Sequence, residues 1–193
     1  MKRKFLFDLV KNMNTIELIK PTNEYDNDIW QFRQEVLKID ADNDSQFAGC
    51  MSLDTCSCVE EWIKMCQLRT SEDTCKQTGV DVPSHTYLAI RKTDNKLVGI
   101  IDLRHHINHP ILGTWGGHCG YTVRPSERGN GYAKEMLRLN IQNAKKLEID
   151  RILVTCHSDN MASEKTILAN GGAFEKTMEI DGTEIKRYWI EIK

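Results

Sequence analysis

Gly120-Tyr121-Thr122-Val123-Arg124-Pro125-Ser126-Glu127-Arg128-Gly129-Asn130-Gly131-Tyr132-Ala133 is the stretch on which the fold of this chain turns. It opens inside a stretch that reads as a short strand, Gly117 to Val123. Beyond it, Ala133, Met136, Leu137, Ile141 and Ala144 repeat at helical spacing, which predicts an amphipathic helix over residues 129–147. A strand therefore enters a helix through Gly-x-Gly. Such a turn lets the backbone approach a ligand closely, and the free N–H groups of residues 129–133 then point outward. With the helix dipole they form an anion site suited to a diphosphate. Arg124 and Arg128 are placed to add charge-assisted contacts. The same turn also serves as a plain tight connection. It is not a dinucleotide fingerprint, because Lys134 stands where the third glycine belongs, and no G-K-[ST] of a P-loop is present.

Outward from this stretch the pattern alternates between two periods. Toward the C-terminus, Arg151-Ile-Leu-Val-Thr-Cys reads as a strand covered on both faces. Ser158-Asp159-Asn160 offers helix caps, and Asn170-Gly171-Gly172 stops that helix. Phe174 to Ile180 and Glu184 to Ile192 flank Asp181-Gly182, a hairpin signal. Toward the N-terminus, Gly117 to Val123 reads as a short strand after a loop over 104–116. His85 to Arg91 and Leu97 to Leu103 read as an antiparallel hairpin. Residues 24–39 and the Val59, Ile63, Cys66 face read as helices, separated by a polar, turn-rich segment at 40–57. Residues 70–83 read as a loop. Thr15-Ile-Glu-Leu-Ile-Lys alternates as a strand. The order β, α, α, β, β, β, α, β, α, β, β fits an α/β (α+β) fold, a mostly antiparallel sheet with helices on both faces.

The 193 residues favour one domain over two, here 15–193, with 1–14 as a tail outside the fold and Met1 or Met13 as the start. The basic Met1-Lys-Arg-Lys opening lacks an apolar run and cleavage site of signal-peptide type. A net charge of −2 supplies no basic excess for nucleic acid, and no stretch reads as a membrane segment. Seven cysteines, an odd count, read as reduced thiols in a cytoplasm, and Cys56-x-Cys58 lacks metal-site spacing.

Arg128-x-x-Gly131-x-Ala133 resembles the Q/R-x-x-G-x-G/A motif of the GNAT superfamily of N-acetyltransferases. Tyr121-Thr-Val-Arg-Pro looks like that family's fourth strand and residues 151–156 like its fifth. Asn160-x-x-Ser163 followed by Asn170-Gly-Gly-Ala-Phe174 resembles its next helix and turn. The likeness covers residues 85–193, and residues 15–70 by element order. It implies a GNAT-like mixed, mostly antiparallel central sheet and an acetyl-CoA co-substrate. Backbone groups at Tyr121 and Val123 would pair with the pantetheine arm. Amides of Gly129, Asn130, Gly131, Tyr132 and Ala133 would hold the pyrophosphate, and Asn160 would bond the pantetheine. Splaying of the strands at 117–123 and 151–156 would make the thioester slot.

The resemblance also implies an activity: transfer of acetyl to a primary amine by direct attack in a ternary complex. The acceptor is a small molecule or a peptide, and a homodimer is left open. The family's usual Tyr, seven residues after the matching Asn, is here Ile167, and Ser163 is the replacement acid or a helix residue bonding backbone. The usual strand Glu falls at Gly117. His118 and His157 are then the candidates for the base that takes the amine proton. These departures keep a rival reading open, a non-catalytic acyl-CoA-binding sensor on the same fold. Cys119 and Cys156 read as buried strand thiols. His105, His106 and His109 admit three readings: metal ligands, a substrate-side loop or a solvated loop. No metal is expected.

Overall fold

The structure is a computed structural model that describes residues 15–43 and 46–192. The N-terminal tail at 1–14, with its alternative start, lies outside the described residues. The elements run β1 (Ile16–Ile19), α1 (Asp26–Ile39), α2 (Val59–Leu68), the short α3 (Glu72–Cys75), β2 (Ser84–Arg91) and β3 (Lys96–Arg104). They continue β4 (Tyr121–Val123), α4 (Tyr132–Lys146), β5 (Arg151–His157), α5 (Met161–Leu168), β6 (Ala173–Ile180) and β7 (Thr183–Glu191).

The strands divide into two sheets, β1-β2-β3-β4 and β5-β7-β6, and every pairing in them is antiparallel. One continuous sheet was the expectation. The reason for the division lies at residues 117–120. There the chain still bonds β3, through Asp102 N to Gly120 O and Arg104 N to His118 O. Among the described residues its backbone hydrogen-bonds β5 only at His118, whose amide donates to Leu153 O at 2.8 Å. The expected strand 117–123 is thus reduced to Tyr121–Val123.

Alternation assigns the faces. Leu88, Ile90, Leu97 and Ile100 pack with Ile29, Phe32 and Val36 of α1 and Trp62 and Ile63 of α2. Ala89, Val98 and Ile101 pack on the opposite face with Tyr132 and Met136 of α4. Leu97 and Ile100 share a face despite their odd spacing because the β2–β3 register shifts at Ala89/Ile90, giving the strand one extra residue. Leu137 and Ala144 of α4 also pack with Ile152, Val154, Ile167, Tyr188 and Ile190, so α4 spans the junction of the two sheets.

Three segments depart from their reading, and the first is the loop expected over 70–83, which contains the short helix α3. The polar run 40–57 buries Cys50 and Leu53 completely and Cys56 nearly so, and the Cys50 carbonyl accepts Trp62 Nε1–H at 2.7 Å. The helix expected from residue 129 begins at Tyr132, because Gly129 and Gly131 both have φ of +81°, outside the helical range.

Candidate active site

One cleft of about 840 Å³ lies where the sheets part. β4 is the last strand of its sheet, so its outer edge has no strand partner. Cys119, Gly120, Tyr121 and Val123 line one wall, and Thr155, Cys156 and His157 of β5 line the other. Gly129, Gly131, Tyr132, Ala133 and Lys134 line the end where α4 begins. A Cβ built on Gly129 or Gly131 meets nothing within 4 Å. The turn therefore stands beside open space at a helix N-terminus, where backbone amides and the helix dipole favour an anion.

The motif's two arginines have separate fates. Arg128 lines the cleft and forks onto Asp40 at the end of α1, with Nη1 2.9 Å from Oδ1 and Nη2 on Oδ2. Its Nε donates to the Val123 carbonyl at 3.3 Å. Arg124 is outside the cleft. It is 4% exposed and bonds Glu35 Oε2 at 2.8 Å, Asp28 Oδ1 at 2.5 Å and Leu97 O at 3.2 Å. It fastens α1 to the sheet, and these acceptors leave it turned away from any cleft ligand. Asn130 also stays local, its Nδ2 donating to Glu127 O at 3.1 Å, and its side chain does not line the cleft. Glu127 is held between Arg91 (2.7 Å) and Lys96 (2.6 Å), which keep its carboxyl below the usual range.

Asn160 caps α5, its Oδ1 accepting Ser163 N–H at 2.9 Å, and both residues line the cleft. Ser163 Oγ shares a 2.8 Å hydrogen bond with Tyr121 Oη. Burial raises the Tyr121 phenol, so it stays protonated. Ile167 is wholly buried. The hydroxyl pair at the slot thus comes from Ser163 and from a β4 tyrosine whose side chain the sequence reading had not singled out. Burial pushes Cys119 up to about 12 and Cys156 up to about 11, so neither is a thiolate near neutral pH.

The two histidines also separate. His157 lines the cleft at the end of β5. His118 is 5% exposed and does not. Its Nδ1 accepts Leu153 N–H at 2.9 Å, and its ring meets the edge of Trp189 at 6.4 Å. Burial, then the charge of Arg104, depresses it to about 4. A neutral imidazole with Nδ1 accepting carries its proton on Nε2, so no lone pair remains for a substrate proton. His118 closes the seam between the sheets.

Residues 40–49, read as mere turns, supply a third wall through Asp40, Asn43, Gln46, Ala48 and Gly49. Thr122 Oγ1 fixes them by donating to the carbonyls of Gln46 (3.0 Å) and Ala48 (2.9 Å). A Cβ on Gly49 would collide with the Gly120 carbonyl, and one on Gly120 would stand 2.6 Å from Gly49 N. Arg104, Trp115 and Gly116 line the end away from the glycine turn. His105 stacks on His85 at 4.8 Å, their nitrogens 2.7 Å apart, and burial depresses both rings. Among the described residues no three His, Cys, Asp or Glu side chains are grouped to hold a metal.

Residues 17–173 match the family model described as an acetyltransferase (GNAT) domain. The chain belongs to the GNAT acetyltransferase family. Among solved structures it is similar to a RimL ribosomal L7/L12 α-N-protein acetyltransferase in complex with coenzyme A. The match has 22% identity and a TM-score of 0.61, over 93% of this chain and 95% of that one. It is also similar to the microcin C7 self-immunity acetyltransferase MccE in complex with acetyl-CoA and AMP (16%, 0.60, 94% and 95%). A third is the Salmonella typhimurium acetyltransferase that modifies the N-terminal serine of L7/L12 (21%, 0.59, 94% and 98%). A comparison with curated proteins found no match. GNAT enzymes use acetyl-CoA as co-substrate. Among the described residues, no helix is long and apolar enough to cross a membrane.

Proposed function

We propose that the protein is an acetyl-CoA-dependent N-acetyltransferase that acts on a primary amine by direct attack in a ternary complex. The observation that carries this reading is the parting of β4 from β5 in a cleft whose one end is the open Gly129–Gly131 turn. The co-substrate supplies an acetyl group already activated as a thioester. The free edge of β4 at Tyr121 and Val123 accepts the pantetheine as an added strand. Amides at Gly129, Gly131, Tyr132 and Ala133 hold the pyrophosphate, joined by the charges of Arg128 and Lys134. Asn160 uses its Oδ1 on the helix cap and turns its amide N–H₂ to the pantetheine.

As the amine nitrogen bonds the acetyl carbon, the carbon–sulfur bond breaks. Ser163, backed by Tyr121, gives the sulfur a proton. His157, the one imidazole among the cleft's lining residues, takes a proton from the nitrogen. The rival reading, a silent acyl-CoA sensor, draws on Ile167 and on Gly117 where relatives place reactive groups. The Tyr121–Ser163 pair at the slot favours the enzyme. Thermal melting with acetyl-CoA, CoA and NAD tests cofactor binding. An amine panel followed by free thiol then separates the two readings. CoA stabilisation with thiol release supports the transferase; stabilisation without release by any amine supports the sensor.

A further inference from the structure

The proposed chemistry leaves two basic lining residues of the cleft unused, Arg104 and Lys165, and Arg104 is the one on the strand beside β4. β3 runs antiparallel to β4, so Gly99 lies opposite Val123 while the Arg104 amide bonds His118 O. Five residues of β3, about 17 Å of strand, separate the two positions. The glycine turn adjoins the Val123 end. A pantetheine running along β4 toward Gly120 therefore points its acetyl group at Arg104, which places Arg104 among the groups that meet the acceptor.

The guanidinium is fixed in place. Nη1 donates to the carbonyls of Gly116 and Gly117, both at 3.2 Å, and Nη2 lies 3.1 Å from Asp102 Oδ2. Asp102 is fully buried, and its Oδ1 accepts Gly120 N–H at 2.6 Å. Arg104 Nε has no acceptor among the described residues, and its side chain keeps 22% exposure. Trp115, 40% exposed, stands beside it as an apolar wall, its carbonyl held by Thr155 Oγ1 at 2.5 Å.

The charge that this end presents to the cleft is that of Arg104, because its partner Asp102 is fully buried and does not line the cleft. Among the described residues, the acidic ones lining the cleft are Asp40 and Glu127, and both are ion-paired near the glycine turn. Among the described residues, no carboxylate lines the cleft around Arg104. A polyamine finds no counter-charge there. An anionic group finds a guanidinium held in position before it arrives, which is the arrangement that binds carboxylate well.

We propose that Arg104 anchors a carboxylate of the acceptor, so that the acceptor class is a primary amine bearing a carboxylate a few bonds from its nitrogen. This rests on the transferase reading. A free amino acid and an acidic peptide N-terminus share that chemistry.

The test compares matched acceptors in the wild-type protein: amino acids against their amides, acidic peptides against their amidated forms, and simple alkyl amines. The carboxylate forms should be favoured about ten- to hundredfold in kcat/KM, mostly through KM. The free and peptide arms then tell the two sources apart. Arg104→Gln should bring the ratio close to one, while Arg104→Lys keeps part of it. The CoA-induced melting shift reports that each variant is folded. Amides or alkyl amines turned over as well as the acids would overturn the carboxylate anchor and leave the transferase standing. No turnover of any amine by a protein that binds CoA would remove both. Because the acceptor comparison uses the unmodified protein, it decides the matter even if Arg104→Gln fails to fold.

Discussion

The seam between β4 and β5 has a closed end and an open end, a few residues apart on the same strands. At the closed end His118 meets Leu153 twice, through its backbone amide and through Nδ1. At the open end Tyr121 and Val123 turn an unpaired strand edge to the cleft. A complete ladder would have made one sheet with no slot. A seam without the His118 clasp would have lost the hydrogen bonds that join residues 117–120 to β5. The reactive gap is thus a local failure of pairing, kept open by a neighbouring success. The two histidines named as alternatives for one role lie on opposite sides of this difference.

The sharpest way to test that contrast is to remove each imidazole in turn. His157→Ala, at the cleft wall, should lower kcat/KM by roughly 10²–10⁴-fold, read by steady-state thiol release. His118→Ala should change the rate by less than tenfold. A large loss at His118 with silence at His157 would reverse the assignment of the two ends.

Next in size is Gly131→Val, which acts at the open end alone. The new side chain points into the space a pyrophosphate needs, and it sits at a positive φ. Stabilisation by CoA, about 2.7 kcal/mol at a hundredfold excess over Kd, should vanish in thermal melts. Far-UV circular dichroism should stay native. A retained shift would mean that the turn does not hold the cofactor.

His118→Ala should itself destabilise the fold by about 2 kcal/mol, because Leu153 N–H loses its side-chain acceptor in a buried seam. Chemical denaturation checks this, and His118→Asn, which restores an acceptor oxygen near Nδ1, should recover part of the loss.

The closed end also carries a pH signature. His118 titrates near 4 when folded and near its ordinary 6.5 when unfolded, so the unfolded chain binds the extra proton between those values. Its contribution is present above pH 6.5 and lost as the pH falls toward 4. Stability should therefore decline less steeply over that window in His118→Asn than in the wild type. Equal slopes would place the imidazole in a more solvated setting. The smallest effect is at the thiols: with Cys119 at about 12 and Cys156 at about 11, alkylation at pH 8 should be slow at both.

Most of the architecture was legible because it is written in local periods. Ala133, Met136, Leu137, Ile141 and Ala144 gave the long helix, Asp181-Gly182 gave the final hairpin, and Gly129 and Gly131 gave the turn. What escaped is set by partners far along the chain. Nothing near Arg124 or Arg128 says which one will meet Asp28 and Glu35 and which will meet Asp40. The sequence favours His118 over His157 as the base, until the register of β5 puts Leu153 against His118. Cys50, Leu53 and Gly49 lie in a stretch with no period, so its burial and its place in the cleft wall were invisible. Tyr121 was read for its backbone, and only the approach of α5 brings Ser163 to its hydroxyl.

The touching backbones of Gly49 and Gly120 set a limit on how such a protein can change over generations. A side chain at either position drives atoms of the other apart, and neither alteration is cured by the second. Drift is therefore frozen at the one place where the acceptor wall leans on the thioester slot. Diversification has to travel through side chains such as Trp115 and Arg104, because Gly117 in the same loop is itself pinned against the Leu153 carbonyl. New acceptors are then reached by redecorating one rim of a fixed mouth, while the geometry that positions the reacting carbon is inherited unchanged.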